Sequence, residues 1–201
     1  EAVLVDADRG EGDGEDELLD ALRVAAGEAA SGDRSLPRVF GRYRLTELLG
    51  RGGSGTVYLA EQDLPRRPVA LKLLCPGLDV SRVAFESAAI GRLSHPGLAH
   101  VYDAGVAAFE DDPAIPVPFI AMEFVEGRPI SSYCEERGLG YRPRLALLAE
   151  TARTIAYLHE RGVVHADLKP ANVLIDDRGR PRVLDFGVAR IERLGIAREA
   201  G

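Results

Sequence analysis

The 201-residue chain is 46% hydrophobic and 28% charged, the balance of a folded domain or of two small lobes sharing a cleft, which argues against wholesale disorder. Residues 1–36 hold 11 acidic and 3 basic side chains, contributing −8 and leaving +1 for the rest of a net charge of −7. That balance argues against a nucleic-acid-binding role, which needs excess Lys and Arg against phosphate, and no run reaches the roughly 20 apolar residues of a membrane span.

In chain order, residues 1–37 read as a solvated acidic arm. One stretch within it, Glu15–Ala30, has helical spacing and places Leu18, Leu19, Leu22 and Ala25 on one side. The arm is either loosely attached or a docking helix that packs on the domain or recruits a partner. Beyond Phe40 the period shortens. Tyr43, Leu45 and Leu48–Leu49 make a strand, Gly50–Gly55 a turn, and Thr56–Glu61 a second strand. Val69–Leu74 is a third strand, ended by Pro76–Gly77. A helix is predicted over Ser81–Leu93, stopping at Ser94-His-Pro-Gly97 because proline disfavours helix in the residue before it.

Two more strands are predicted near Ala99–Ala104 and Phe119–Phe124, separated by a polar, proline-bearing loop at Glu110–Pro118. After Glu126-Gly127 the pattern turns helical. Leu145, Leu148, Ala152, Ile155 and Leu158 recur at three- and four-residue spacing, and Gly162 ends that helix. Two short strands, Val173–Asp176 and Arg182–Asp185, flank the turn Asp177-Arg-Gly179. The order lacks regular βαβ alternation, which argues against a dinucleotide-binding sheet. Cys75 and Cys134 lack metal-ligand spacing and read as buried or half-buried free thiols in a reducing, cytoplasmic setting.

The chemistry-bearing residues follow. Gly50-x-Gly52-x-x-Gly55 alone is a weak signal, compatible with a structural hairpin or with a flap whose missing Cβ atoms let backbone N–H groups approach phosphate. The strand after Gly55, rather than a helix, favours the flap. Lys72 stands in Val69-Ala-Leu-Lys72 among apolar neighbours, so it needs an anionic partner, and Glu86 in the following helix is the candidate. The strongest string is Val164-His-Ala-Asp-Leu-Lys-Pro-Ala-Asn-Val-Leu174, followed by Asp185-Phe-Gly187.

These strings resemble the catalytic loop and magnesium-binding turn of serine/threonine protein kinases of bacterial type, and five motifs agree in order and spacing over about residues 42–190. The resemblance implies an α+β, two-lobed kinase fold within residues 38–201. An antiparallel N-lobe sheet with one helix would span about 42–123, a hinge about 123–127, and a partial, mainly helical C-lobe 128–201. It implies ATP and Mg2+ as cofactors and protein Ser/Thr hydroxyls as acceptors. Leu49, Gly50, Gly52, Gly53, Ser54 and Gly55 would cover the nucleotide phosphates. Val57 and Ala70 would sandwich adenine from above and Leu174 from below, with Met122 as gatekeeper and the backbone of Glu123–Val125 as hinge. Lys72, paired with Glu86, would grip the phosphates. Asn172 and Asp185 would hold magnesium, Asp167 would accept the substrate proton, and Lys169 would touch the transferring phosphate. Ile90, Val101, His165 and Phe186 are expected to pack rather than react. Tyr58–Gln62, Cys75–Asp79 and Pro129–Cys134 resemble large bacterial kinases of the planctomycete kind.

Two departures matter. Ala166 stands where the family carries the arginine that meets a phosphorylated activation loop. Activity is therefore expected not to require loop phosphorylation, and loss of turnover on replacing every Ser and Thr of the activation segment would contradict this. The run also stops at Gly201 without an Ala-Pro-Glu-like motif, so residues 1–201 alone are expected to be poorly stable and nearly inactive. A non-catalytic scaffold kinase is the nearest alternative, but such proteins usually lack one of Lys72, Glu86, Asp167, Asn172 or Asp185. Small-molecule phosphotransferases lack the Asp-Leu-Lys-Pro run. A plain interaction protein would have no reason to keep five polar motifs in register.

Overall fold

The computed structural model describes residues 36–53, 55–75, 91–184 and 190–191. The first half is a six-stranded closed barrel ordered β1-β2-β3-β4-β6-β5. Its strands are β1 (Arg38–Phe40), β2 (Tyr43–Gly52), β3 (Gly55–Gln62), β4 (Arg67–Leu74), β5 (Val101–Phe109) and β6 (Asp112–Glu123). The antiparallel sheet expected here closes through the three residues of β1, which pair with β2 and meet β5 at Phe40↔Phe109. Arg38 reinforces the seam by stacking its guanidinium 3.7 Å over Phe109 and bonding Asp111 at 2.7 Å.

Strand periodicity sorts the side chains. Phe40, Tyr43, Leu45, Tyr58, Ala60, Val69, Leu71, Phe109, Phe119 and Ala121 fill the barrel. Edge-to-face pairs join Phe40 to Phe109 (5.0 Å) and Phe119 (5.7 Å), each contributing about 1 kcal/mol beyond area burial. The alternate positions Ala70, Lys72 and Leu74 of β4 must then lie on the outer face. Ala70 and Leu74 pack there with Ile120, Met122 and Val57, against Leu158, Val163 and Val183 of the second half. This face borders the candidate site.

Several sequence expectations need correction. The loop placed at Glu110–Pro118 is instead mostly strand: β5 runs to Phe109, turns at 110–111, and β6 starts at Asp112. Prolines are tolerated in it because β4 covers only Phe119–Glu123, which leaves residues 112–118 a free edge opposite β5. The helix predicted over Ser81–Leu93 does not reach its last residues, since Gly91 and Arg92 form a turn and Leu93 is irregular; residues 81–90 lie outside the described residues. Cys75, expected to be at least half-buried, is exposed one residue past β4, whereas Cys134 is buried.

The second half begins with β7 (Gly127–Pro129) and α1 (Ile130–Glu136), followed by the long helix α2 (Tyr141–His159). Next come β8 (Val163–Val164), a 3-10 turn (Pro170–Asn172), β9 (Val173–Asp176), β10 (Pro181–Val183) and β11 (Arg190–Ile191). β7 joins the expected β9–β10 hairpin as a third strand, and β11 pairs with β8. The buried seam of α2 is Leu147, Thr151, Thr154 and Leu158, while Leu145 and Leu148 are 45% and 55% exposed. Of the apolar stripe read from sequence, Leu158 is buried and Ile155 packs against the core, while its N-terminal part, Leu145 and Leu148, faces outward. Threonines can occupy the inner seam because Thr151 and Thr154 return their hydroxyls to the carbonyls of Leu147 (2.9 Å) and Glu150 (3.3 Å).

Gly55 opens β3 at φ +141°, and an added Cβ would collide with the carbonyl oxygen of Leu73. Gly55→Ala is expected to lose about 3 kcal/mol from backbone strain and the clash with β4. A urea melt superimposing on the parent curve would contradict this.

Candidate active site

The glycine run forms the tip of the β2–β3 hairpin, with Gly50↔Val57, Arg51↔Thr56 and Gly52↔Gly55 in register and Gly53 in the turn. A Cβ on Gly50, Gly52 or Gly53 would meet no atom within 4 Å, so their glycine character is not demanded by packing inside the protein. Space over the strap suits a ligand that approaches the backbone closely. Leu49 is exposed beside it. Ser54, Glu86 and Asp185 lie outside the described residues.

Below the strap, β4 is sandwiched between β3 and β6, and Lys72 sits opposite Val57 on one side and Ile120 on the other. Its side chain is among the largest fully buried ones, with the residue 1% exposed. Ala70 pairs with Met122, and Val57, Ala70 and Met122 share one apolar cluster. A buried ammonium on a sheet face is costly unless anionic groups meet it. β6 ends at Glu123, whose N–H donates to the carbonyl of His100 at 2.8 Å. The next residues, Phe124 and Val125, leave the strand, Phe124 half-buried and packed on the apolar cluster of Ala70 and Met122, and Val125 buried.

A second group comes from the loop between β8 and β9. Ala166 adopts φ +61°, a left-handed conformation costing a non-glycine residue about 1 kcal/mol. Either side of that reversal, His165 is buried and Asp167 remains partly exposed. His165 Nε2 lies 2.8 Å from the carbonyl oxygen of Leu184; because a carbonyl only accepts, Nε2 carries the proton and Nδ1 accepts the N–H of Asp167 at 3.3 Å. Asp167 Oδ2 takes Lys169 Nζ at 2.7 Å and Asn172 Nδ2 at 3.2 Å. Asn172 Nδ2 also donates to the Asp167 carbonyl at 2.8 Å. With its nitrogen committed, the amide of Asn172, 7% exposed, presents Oδ1 as a hard oxygen donor.

The hydrogen bond from Lys169 holds the Asp167 carboxyl below its ordinary 3.8. Desolvation opposes the shift, while the Lys169 charge, the Asn172 amide and His165 add to it. A depressed carboxyl stays ionised at neutral pH, and the stability it lends is lost only as pH falls through its lowered folded value. Lys169→Met is therefore expected to move the Asp167 midpoint upward, towards 3.8, in a 13C-detected carboxyl titration. An unmoved or lower midpoint would contradict the pairing.

β10 joins the two groups. Val183 packs with Ala70 and Met122, while Leu184 gives its N–H to Asn172 O at 2.8 Å and its carbonyl to His165. Leu184 is the residue before Asp185, so the loop grips the chain at the entry to that carboxylate. Leu174, on β9 opposite Pro129, belongs to the adjoining sheet.

The sequence model of the protein kinase domain matches residues 43–197. The chain belongs to the protein kinase domain family. Over 156 residues it is 40% identical to the DNA damage-responsive serine/threonine-protein kinase RqkA of Deinococcus radiodurans, a match covering 75% of this chain and 23% of that protein. It is also 40% identical over 157 residues to the serine/threonine-protein kinase PksC of Streptomyces coelicolor, covering 73% and 28%. The kinase domain of Mycobacterium tuberculosis PknI superposes with a TM-score of 0.61 at 29% identity, covering 78% of this chain and 62% of that one. The chain thus spans about a quarter of the length of these curated relatives. The fold is that of a protein kinase, the relatives are bacterial Ser/Thr kinases, and the family as a whole uses ATP and a divalent metal.

Sequence reasoning passed over Arg182, a lone charge in the apolar run Pro181-Arg-Val-Leu184. It assigned His165 to packing without its grip on Leu184.

Proposed function

We propose that this kinase domain transfers the γ-phosphoryl group of ATP to Ser or Thr hydroxyls of proteins, with residues 38–201 as the catalytic domain and about 123–127 as its hinge. The observation that carries the reading is the junction at Val183–Leu184, one residue touching the apolar face that holds Lys72 and the next clamped by the loop of Asp167 and Asn172. Adenine would lie between Val57 and Ala70 on one side and Leu174 on the other, its edge against the hinge backbone and Met122 behind it. Leu49 and the strap of Gly50, Gly52, Gly53, Ser54 and Gly55 would cover the phosphates. Lys72, with Glu86 as its partner, would neutralise phosphate charge.

Asn172 Oδ1 fits a hard cation, and Asp185 would complete the pair of magnesium ligands. Bound magnesium would supply charge neutralisation on the phosphates. Asp167, ionised at neutral pH, would orient the acceptor hydroxyl and take its proton, and Lys169 beside it would meet charge on the moving phosphoryl group. Phosphoryl transfer through a loose transition state asks for positioning and charge rather than a strong nucleophile. That is what this set of side chains offers.

The segments 58–62, 75–79 and 129–134 support membership among large bacterial kinases of the planctomycete kind. No helix among the described residues is long and apolar enough to cross a membrane. The free thiols Cys75 and Cys134 support a reducing setting, and a cytoplasmic domain is part of the proposal. Radiolabelled ATP with magnesium and a mixture of Ser/Thr and Tyr peptides, applied to the full-length protein rather than to residues 1–201 alone, tests the activity. Label on Ser or Thr, dependent on Asp167, supports the reading; label on tyrosine alone, or none from a protein that binds ATP, overturns it.

A further inference from the structure

Arg182, in β10, is the one charged side chain in its run. Its Nη2 lies 2.6 Å from Glu123 Oε2 and 2.9 Å from the carbonyl oxygen of Leu98. The same carboxylate oxygen accepts the N–H of His100 at 3.1 Å, and the N–H of Glu123 returns to His100 O. The segment so held is itself stitched to β10, through Ala99 N–H to Val183 O at 2.9 Å and Val183 N–H to Gly97 O at 2.7 Å. One guanidinium nitrogen therefore ties together residues 98, 123 and 182. The side chains of Arg182 and Glu123 are only 15% and 29% exposed, so the charge-assisted bonds are weakly screened.

Glu123 is the last residue of β6 and the first of the hinge, and Arg182 stands two residues before Leu184, which the catalytic loop clamps. We propose that Arg182 is a positioning residue for the nucleotide, fixing the hinge backbone that reads the adenine edge relative to the strand that leads to the metal-binding carboxylate. The inference rests on the ATP-site reading above. It does not follow from the site residues themselves, since Arg182 reaches the hinge only through the side chain of Glu123. A fixed Glu123 carbonyl accepts the 6-amino group of adenine and opposes the 6-oxo group of guanine. A loosened one discriminates less. The contact is made equally in ground and transition states, so its loss falls on nucleotide affinity and KM rather than on kcat.

The test is calorimetric binding of Mg·ATP and Mg·GTP to the intact protein and to R182M, R182K, E123Q and R182M/E123Q, with thermal melts and steady-state kinetics alongside. R182M is expected to weaken ATP binding about tenfold and GTP binding less, lowering the ATP-to-GTP preference, with KM for ATP following and kcat within about twofold. R182K is expected to recover part of the loss, because an ammonium on a flexible stem does not reproduce the guanidinium's fork between Glu123 and Leu98. The double variant should bind ATP no worse than R182M, because both changes break one contact. A lowered melting point with unchanged ATP affinity, an equal loss for both nucleotides, or a change confined to kcat would overturn the proposal. Should R182M fail to fold, the same affinity ratio in R182K and E123Q decides. A parent that binds no ATP sinks the underlying reading. A parent that binds ATP with R182M indistinguishable from it sinks only this inference.

Discussion

Asp167→Asn is expected to lower kcat by about a hundred- to ten-thousandfold while leaving ATP affinity within about twofold. The two side chains have the same shape, and an amide oxygen can still accept from Lys169 Nζ and Asn172 Nδ2, which now sit 2.7 and 3.2 Å from Asp167 Oδ2. The loop should therefore keep its form. What the amide lacks is basicity and charge: it cannot take the proton of an acceptor hydroxyl. Because Asp167 lies in the loop rather than on the face holding Ala70 and Met122, its replacement should spare nucleotide binding. Single-turnover rates and ATP titrations on the same preparation check both halves. A variant that keeps more than about a third of the parent rate would remove Asp167 from the chemistry.

The second large effect is expected at Lys72. Lys72→Met keeps the length and apolar stem of a side chain that is 1% exposed on the central strand β4, yet removes the ammonium that the proposal sets against the nucleotide phosphates. Loss of a charge aimed at the transferred group is expected to cost about a hundred- to a thousandfold in kcat/KM. Lys72→Arg should fail nearly as badly, since a planar guanidinium does not fit where a slim ammonium is enclosed by Val57, Ile120 and their neighbours. The chain has just two lysines, Lys72 and Lys169, among its 25 basic residues. Arginine serves everywhere else, so each lysine position asks for a compact point charge. Near-normal kcat/KM in either variant would contradict the role assigned to Lys72.

The part of the candidate site within the described residues was legible because it is written in short polar strings whose spacing the backbone keeps. Asp167, Lys169 and Asn172 lie within six residues, and the loop that carries them closes on itself by hydrogen bonds. Lys72 stood out because a charge inside an alternating apolar strand has to be satisfied by something. The barrel was less legible. β1 has three residues and no period to read; it pairs with β2 next door, and it closes the barrel because Phe40 also reaches Phe109 some seventy positions away. The β5–β6 hairpin was hidden by its prolines, which mark a loop unless a free strand edge is known to be there. The seam of α2 was read at Ile155 and Leu158 but missed at Thr151 and Thr154, which count as polar until their hydroxyls are seen returning to the helix. Arg182 carried no local signal, since its meaning lies in Glu123 and Leu98, both remote in sequence.

The central claim is that a strap, an ammonium and the catalytic loop surround one triphosphate. An acyl-phosphate derivative of ATP, which transfers its acyl group to lysines beside bound phosphates, tests this directly, and two lysines make the readout simple. Peptide mass spectrometry is predicted to find acylation of Lys72 and Lys169, suppressed by excess ATP. Neither lysine labelled, or labelling that ATP does not suppress, would contradict it.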